Sequence, residues 1–173
     1  MVAVAVTGED LEIVFDGGEI EIISDLDQLL ASLPAGVLVT WNGGGFDLPF
    51  LHDRAKRLGV ELGLQLCLDP SIGGRHEPLA GHAGAYRARW HQHRHIDGYQ
   101  VFRADVGATL RLPCGLKPLA RMVGLPVVEV DRERIHELTD EERRTYVASD
   151  AHLARALVSR RAQWVAGIDR LPV

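Results

Sequence analysis

The sequence predicts an α/β fold, and three stretches carry that expectation. Val37-Leu38-Val39-Thr40-Trp41 is an apolar, β-branched run long enough for a buried strand. Asn42 and three glycines break it, and a helix follows at once. Val2 to Val6 and Leu11 to Phe15 flank Thr7-Gly8-Glu9-Asp10 as two strands of a hairpin. Thr139-Asp140-Glu141-Glu142 is a capping box that opens a long last helix, to about residue 166.

The other elements fall between these. Asp16-Gly17-Gly18 turns the chain, Ile20, Ile22 and Ile23 alternate like a short third strand, and Ser24 opens a helix with Leu26, Leu29, Leu30 and Leu33 on one face. Pro34-Ala35-Gly36 ends it. In the helix after the glycines Asp47 stands at the N-cap, Pro49 in the first turn, and Leu48, Leu51, Ala55 and Leu58 recur at helical spacing until Gly59. Residues 62–68 form an apolar strand, and Asp69 to Ala85 is a long glycine-rich loop of the kind that is usually functional or mobile. From Tyr86 to Ile96 a single alternating strand puts Arg87, Arg89, His91, His93 and His95 on one face, with Tyr86, Trp90 and Ile96 on the other. Asp97 caps a short helix over 98–106, and Leu116 to Leu125 holds another, with Gly124 as its stop.

A chain of 173 residues forms one domain, 1–173, with a single core. No apolar run approaches membrane-spanning length, and the N-terminus lacks a basic region with a cleavage site. Cys67 and Cys114 have no metal-type spacing and read as free thiols of a reducing cytoplasm. A net charge of −5 excludes nucleic-acid binding by global charge, but not by a local groove. Between Arg75 and His95 four arginines face one glutamate, a local charge of +3. That stripe is either a contact for a nucleic-acid backbone or a charged edge strand that resists aggregation. His91, His93 and His95 also have the spacing to gather a transition metal on one strand face, with His82 or Asp97 as the nearby candidates for a fourth ligand.

Asp47 lies where a strand's carboxyl end meets a helix start, the place open α/β sheets keep for ligands. The lack of a Lys-Ser/Thr after the glycines argues against a phosphate-cradling loop. On the last helix Tyr146 and Asp150 share a face with Leu153 and Leu157, so the aspartate is either paired or metal-bound on the core side, or, with the helix rotated, solvated or capping an arginine such as Arg121.

Asn42-Gly43-x-x-Phe46-Asp47-x-Pro49-Phe50-Leu51, with Arg54-Ala55 and Leu58-Gly59, resembles the second motif of the DEDD-type 3′-to-5′ exonucleases of the ribonuclease-H-like superfamily. The likeness is greatest to stand-alone bacterial members related to the proofreading domain of family B polymerases. Tyr146-Val147-Ala148-Ser149-Asp150 resembles the third motif of the tyrosine-bearing branch. His95-Ile96-Asp97 and Leu116 to Pro126 resemble the segments between them, in the same order.

The resemblance implies a ribonuclease-H-like mixed sheet flanked by helices and metal-dependent cleavage from a DNA or RNA 3′ end. Two Mg²⁺ or Mn²⁺ ions would stabilise the attacking and leaving oxygens, with Asp47 and Asp150 among their ligands. Tyr146 would orient the attacking water, and Asn42 and Phe46 would shape the pocket of the terminal nucleotide; Phe46 also fits a plain core role. The family's first motif, Asp-x-Glu on the first strand, has no clean copy. Either it has decayed to Thr7-Gly8-Glu9, leaving Glu9, or Asp10-Leu11-Glu12 replaces it, or the hairpin is the family's second and third strands and the first strand is missing. The third fits best a hairpin followed directly by a helix. It implies a weakened or inactive enzyme, or a sheet completed by a second copy in a homo-oligomer. A nucleic-acid-binding or scaffold domain without catalysis is the alternative.

Overall fold

A computed structural model describes residues 3–72, 78–131, 134 and 137–161. Two strands, β1 (Ala3–Thr7) and β2 (Glu12–Asp16), pair antiparallel through a tight turn in which the Gly8 N–H donates to the Leu11 carbonyl at 2.7 Å. A separate four-stranded sheet has the order β3 (Val37–Thr40), β6 (His93–Asp97), β5 (Tyr86–Trp90), β4 (Leu64–Leu68). Within it β3 runs parallel to β6 and the other neighbours are antiparallel. Among the described residues β3 pairs on one side only, and no strand joins β1 to the larger sheet.

Helices cover both faces. The helices α1 (Glu19–Ser32) and α2 (Asp47–Leu58) bury Ile23, Leu26, Leu30, Leu48, Leu51 and Ala55 with Leu64 and Trp90, and Leu38 of β3 points to this side. The opposite side is made by α3 (Gly98–Phe102), a π-helical turn over Arg103–Gly107, α4 (Ala108–Leu110), α5 (Leu116–Met122) and α6 (Asp140–Ser159). There Val39 and Ile96 meet Val158, one residue out of step with Leu38, as the strand's two-residue period requires. This is the ribonuclease-H-like mixed sheet flanked by helices that the sequence led us to expect.

Two local expectations are corrected. Ile20 to Ile23 are not a strand: α1 starts at Glu19, because Gly18 caps it and the Glu21 carboxylate accepts from the Gly18 N–H at 3.3 Å. Ile22 and Ile23 are buried while Ile20 is 52% exposed, which a helix produces and a strand alternating at 20 and 22 does not. Tyr86 to Ile96 is not one strand but the hairpin of β5 and β6, turned at His91 with φ 49°. A third correction is smaller: Phe46, not Asp47, is the N-cap of α2. The capping box of α6 and the left-handed Gly59 that ends α2 are as expected. α6 ends at Ser159, and the rest of its expected span, 162–166, lies outside the described residues.

Asp27, in the middle of α1, ties this frame together. Its Oδ1 accepts from the Trp90 indole N–H at 2.6 Å and from the Gly63 N–H at 2.9 Å, and its Oδ2 lies 3.1 Å from His91 Nε2. Trp90 is 2% exposed, so water cannot replace the lost acceptor. We expect Asp27→Ala to destabilise the fold by about 3 kcal/mol, the sum of two orphaned donors. Thermal unfolding would show this as a fall of roughly 10 °C for a chain of this size; an unchanged midpoint would show the hub to be idle.

Candidate active site

The site is built on the turn between β3 and α2. Thr40 lies opposite Asp97 in the parallel register, so the carboxyl ends of β3 and β6 finish side by side. The turn folds back over Thr40 closely enough that a Cβ on Gly43 would collide with the threonine side chain. A Cβ on Gly44 would likewise strike the carbonyl oxygen of Tyr86. Beneath the turn Thr40 Oγ1 and His95 Nε2 are 2.7 Å apart, and burial holds His95 down to about 4, so the ring is neutral at physiological pH.

Asp97 braces the turn from β6. Its Oδ1 accepts from the N–H groups of Asn42 (2.8 Å) and Tyr99 (3.0 Å), and its Oδ2 from that of Gly44 (3.0 Å). It is the expected cap of α3, and it also holds the glycine turn, a role that needs the parallel register and could not be seen in the sequence. Burial raises its pKa against these hydrogen bonds, which lower it.

Asp47 follows, at the first residue of α2. Its carboxyl is pushed up to about 6, first by desolvation in the surrounding protein and then by the negative charge of Asp97. The residue is exposed at the mouth of the turn, so water screens part of both effects. Beside it Phe46 is 50% exposed and stacks on Phe50 at 6.1 Å with ring planes 3° apart. Phe46 is therefore a surface ring and not part of the core.

Asp150 and Tyr146 lie part-buried on α6, above the fully buried Leu157 and the 4% exposed Leu153. Lys117 of α5 reaches both. Its Nζ is 3.7 Å from Asp150 Oδ1, 4.3 Å from the centre of the Tyr146 ring, and donates to the Val128 carbonyl at 2.6 Å. At 7% exposure this lysine is buried, which only its partners make tolerable. Lys117 is not among the residues that the sequence motifs single out; a lysine amid an apolar helix face is the signal that could have found it.

The basic stripe is dispersed. Arg87 Nε pairs with Asp69 Oδ2 at 2.5 Å, and Arg89 Nε donates to the His91 carbonyl at 3.1 Å. His91 pairs with Asp27, and His93 is 5% exposed with its Nε2 2.8 Å from the Leu30 carbonyl. The hairpin turn shifts the alternation, so Arg87, Arg89, His91, His93 and His95 share no single face. Glu9 stands exposed at the β1–β2 turn.

A divalent ion takes several oxygen ligands. Among the described residues no three or more His, Cys, Asp or Glu side chains come together as such a site requires. Lys117 already supplies positive charge at Asp150. The residues present therefore do not by themselves fit a two-ion centre.

A family model described as "Predicted 3'-5' exonuclease related to the exonuclease domain of PolB" matches residues 7–151. The chain belongs to this family of polymerase-B-like exonuclease domains. It is also similar to a DNA polymerase of Archaeoglobus fulgidus, 39% identical over 56 residues, a stretch that covers 32% of this chain and 7% of the polymerase. No helix among the described residues is long and apolar enough to cross a membrane.

Proposed function

We propose that the chain, 1–173 as one domain, is a 3′-to-5′ exonuclease domain of the tyrosine-bearing DEDD branch that takes the 3′ end of a DNA or RNA strand and, alone, hydrolyses it weakly or not at all. What carries this is Asp47: a carboxylate with a raised pKa, beside an exposed aromatic ring, on a turn braced by Asp97 in a chain of the exonuclease family. Asn42 and Phe46 would receive the terminal nucleotide, its base against the Phe46–Phe50 pair. Tyr146 would orient the attacking water, held by the Lys117 ammonium over its ring. Arg87, Arg89 and His91 would touch the strand's backbone further out, whereas the burial of His93 removes it from that role.

Mg²⁺ or Mn²⁺ is the family's expected cofactor, and Asp47 and Asp150 are the carboxylates we assign to it. Because the described ligands fall short, no hydrolytic step is assigned to this chain alone. We read β1 and β2 as the family's second and third strands, and the strand carrying its first motif as missing. Two observations support that reading: the two-stranded sheet stands apart, and β3 keeps an unpaired edge among the described residues. A second copy would complete the sheet; Glu9, at the exposed turn, would be the remnant carboxylate if the motif has decayed instead. The setting is the cytoplasm, where Cys67 and Cys114 remain thiols.

A nucleic-acid-binding domain without catalysis is the second reading, favoured by Lys117 at Asp150. A 5′-labelled single strand incubated with Mn²⁺ or Mg²⁺ tests both. We expect binding with slow or undetectable shortening. Rapid 3′-end shortening that Asp47→Ala abolishes would show that these carboxylates suffice, and no binding of DNA or RNA would end both readings.

A further inference from the structure

The loop before β5 carries a hydrogen-bonded chain that lies outside the candidate site itself. His82 Nε2 is 3.0 Å from Asp53 Oδ2 on α2, and His82 Nδ1 is 2.8 Å from the Tyr86 hydroxyl at the start of β5. The His82 side chain is 11% exposed and packs edge-on to the Tyr86 ring, 5.3 Å between centres. A carboxylate only accepts, so Nε2 carries a proton and donates to Asp53, while Nδ1 shares a hydrogen bond with the tyrosine hydroxyl. The hydrogen bond from His82 in turn holds the Asp53 carboxyl below its ordinary range.

The main chain of Tyr86 closes the circuit. Its N–H donates to the Gly44 carbonyl at 2.8 Å, and its own carbonyl lies so close to Gly44 that no side chain fits there. Asp53 is on the same helix as Asp47, less than two turns on. The contacts therefore run from Gly44 through Tyr86, His82 and Asp53 back along α2 to Asp47. Asp97 grips the turn from one side; this ring grips it from the other, and His82 is its one member outside a helix or strand besides the turn itself.

We propose that His82 is a positioning residue, which clamps β5 to α2 and so fixes the Gly43–Gly45 turn that presents Phe46 and Asp47. The part of this that concerns substrate rests on the function proposed above. Binding to a strand's 3′ end should weaken when the clamp is cut, although His82 touches neither Asp47 nor Phe46 in any described contact.

Amide hydrogen exchange followed by NMR tests the clamp without any activity. His82→Ala should speed exchange at Tyr86 and Gly44 about tenfold, the change expected for one lost charge-assisted hydrogen bond. Gly63, whose N–H is held by Asp27, should keep its wild-type rate. Asparagine places its amide near the Nδ1 position and glutamine near the Nε2 position, so each keeps one partner. Both His82→Asn and His82→Gln should behave like alanine at Gly44, and either also serves if His82→Ala fails to fold. Wild-type exchange at Tyr86 and Gly44 in the alanine variant, or full restoration by one of these single-ended variants, would overturn the clamp.

In parallel, fluorescence anisotropy with a labelled single strand should show about three- to tenfold weaker binding by His82→Ala. If the wild-type chain binds no strand, the nucleic-acid reading falls while the exchange comparison still decides the clamp.

Discussion

Alanine at Asp97 is expected to lower stability by about 3 kcal/mol and to release the glycine turn. Three backbone N–H groups, those of Asn42, Gly44 and Tyr99, would lose their acceptor at once. Each buried donor left alone costs about 1–2 kcal/mol, set against the relief of a desolvated charge. Burial raises the Asp97 pKa, so the relief is real, but it concerns one group and the loss concerns three. Asparagine should be milder. Its oxygen can keep the two donors at Oδ1, while its NH₂ would meet the Gly44 N–H, donor against donor. Because the Asp97 charge is the second cause of the raised Asp47 pKa, either variant should also lower that pKa. Urea titration with ¹³C-detected titration of Asp47 checks both statements. An Asp97→Ala protein as stable as wild type would show that the turn holds itself.

Asparagine at Asp47 should make the protein more stable at neutral pH and remove any nuclease activity. The folded-state pKa of about 6 stands above the ordinary 3.8, so the native state binds more protons than the unfolded one between those values. Stability therefore falls as pH rises through that window and stays lower above it. The helix start pulls the other way, since α2 favours a negative charge at its first residue, but desolvation and Asp97 outweigh it. An asparagine side chain cannot ionise and escapes the loss. Allowing for solvent screening at this exposed residue, we expect Asp47→Asn to gain about 1 kcal/mol at pH 7.5 and to differ little near pH 4. The same change removes the carboxylate we propose as a cation ligand, and below about pH 6 the wild-type chain should lose any cation affinity as Asp47 takes up its proton. Unfolding of the two proteins at both pH values decides the matter. No gain at pH 7.5 would mean the carboxylate sits in water as any surface aspartate does.

The elements that the sequence made legible share a cause: their signals are local. The capping box at Thr139, the apolar run at Val37 and the left-handed Gly59 each specify their own few residues. What could not be read depends on which distant strands pair. Asp97 becomes the brace of the turn only because β6 runs parallel to β3. Lys117 becomes the partner of Asp150 only because α5 packs on α6. No glycine or asparagine marks the hairpin turn at His91; histidine adopts the positive φ there, with its Nε2 3.1 Å from Asp27 Oδ2. The expectation of Asp47 as a cap failed by one residue: Phe46 is the cap, and Asp47 opens the helix with a carboxyl that desolvation and Asp97 raise.

The parallel contact of β3 with β6 also sets an order of assembly. Its two sides, joined through Asn42 and Asp97, lie 55 residues apart in the chain, whereas the β5–β6 and β1–β2 ladders close over short turns. Bringing distant segments together is slower than zipping neighbours. The glycine turn thus takes its final shape after the short-range hairpins, and a nascent chain cannot brace it until Asp97 has emerged, 55 residues beyond Asn42.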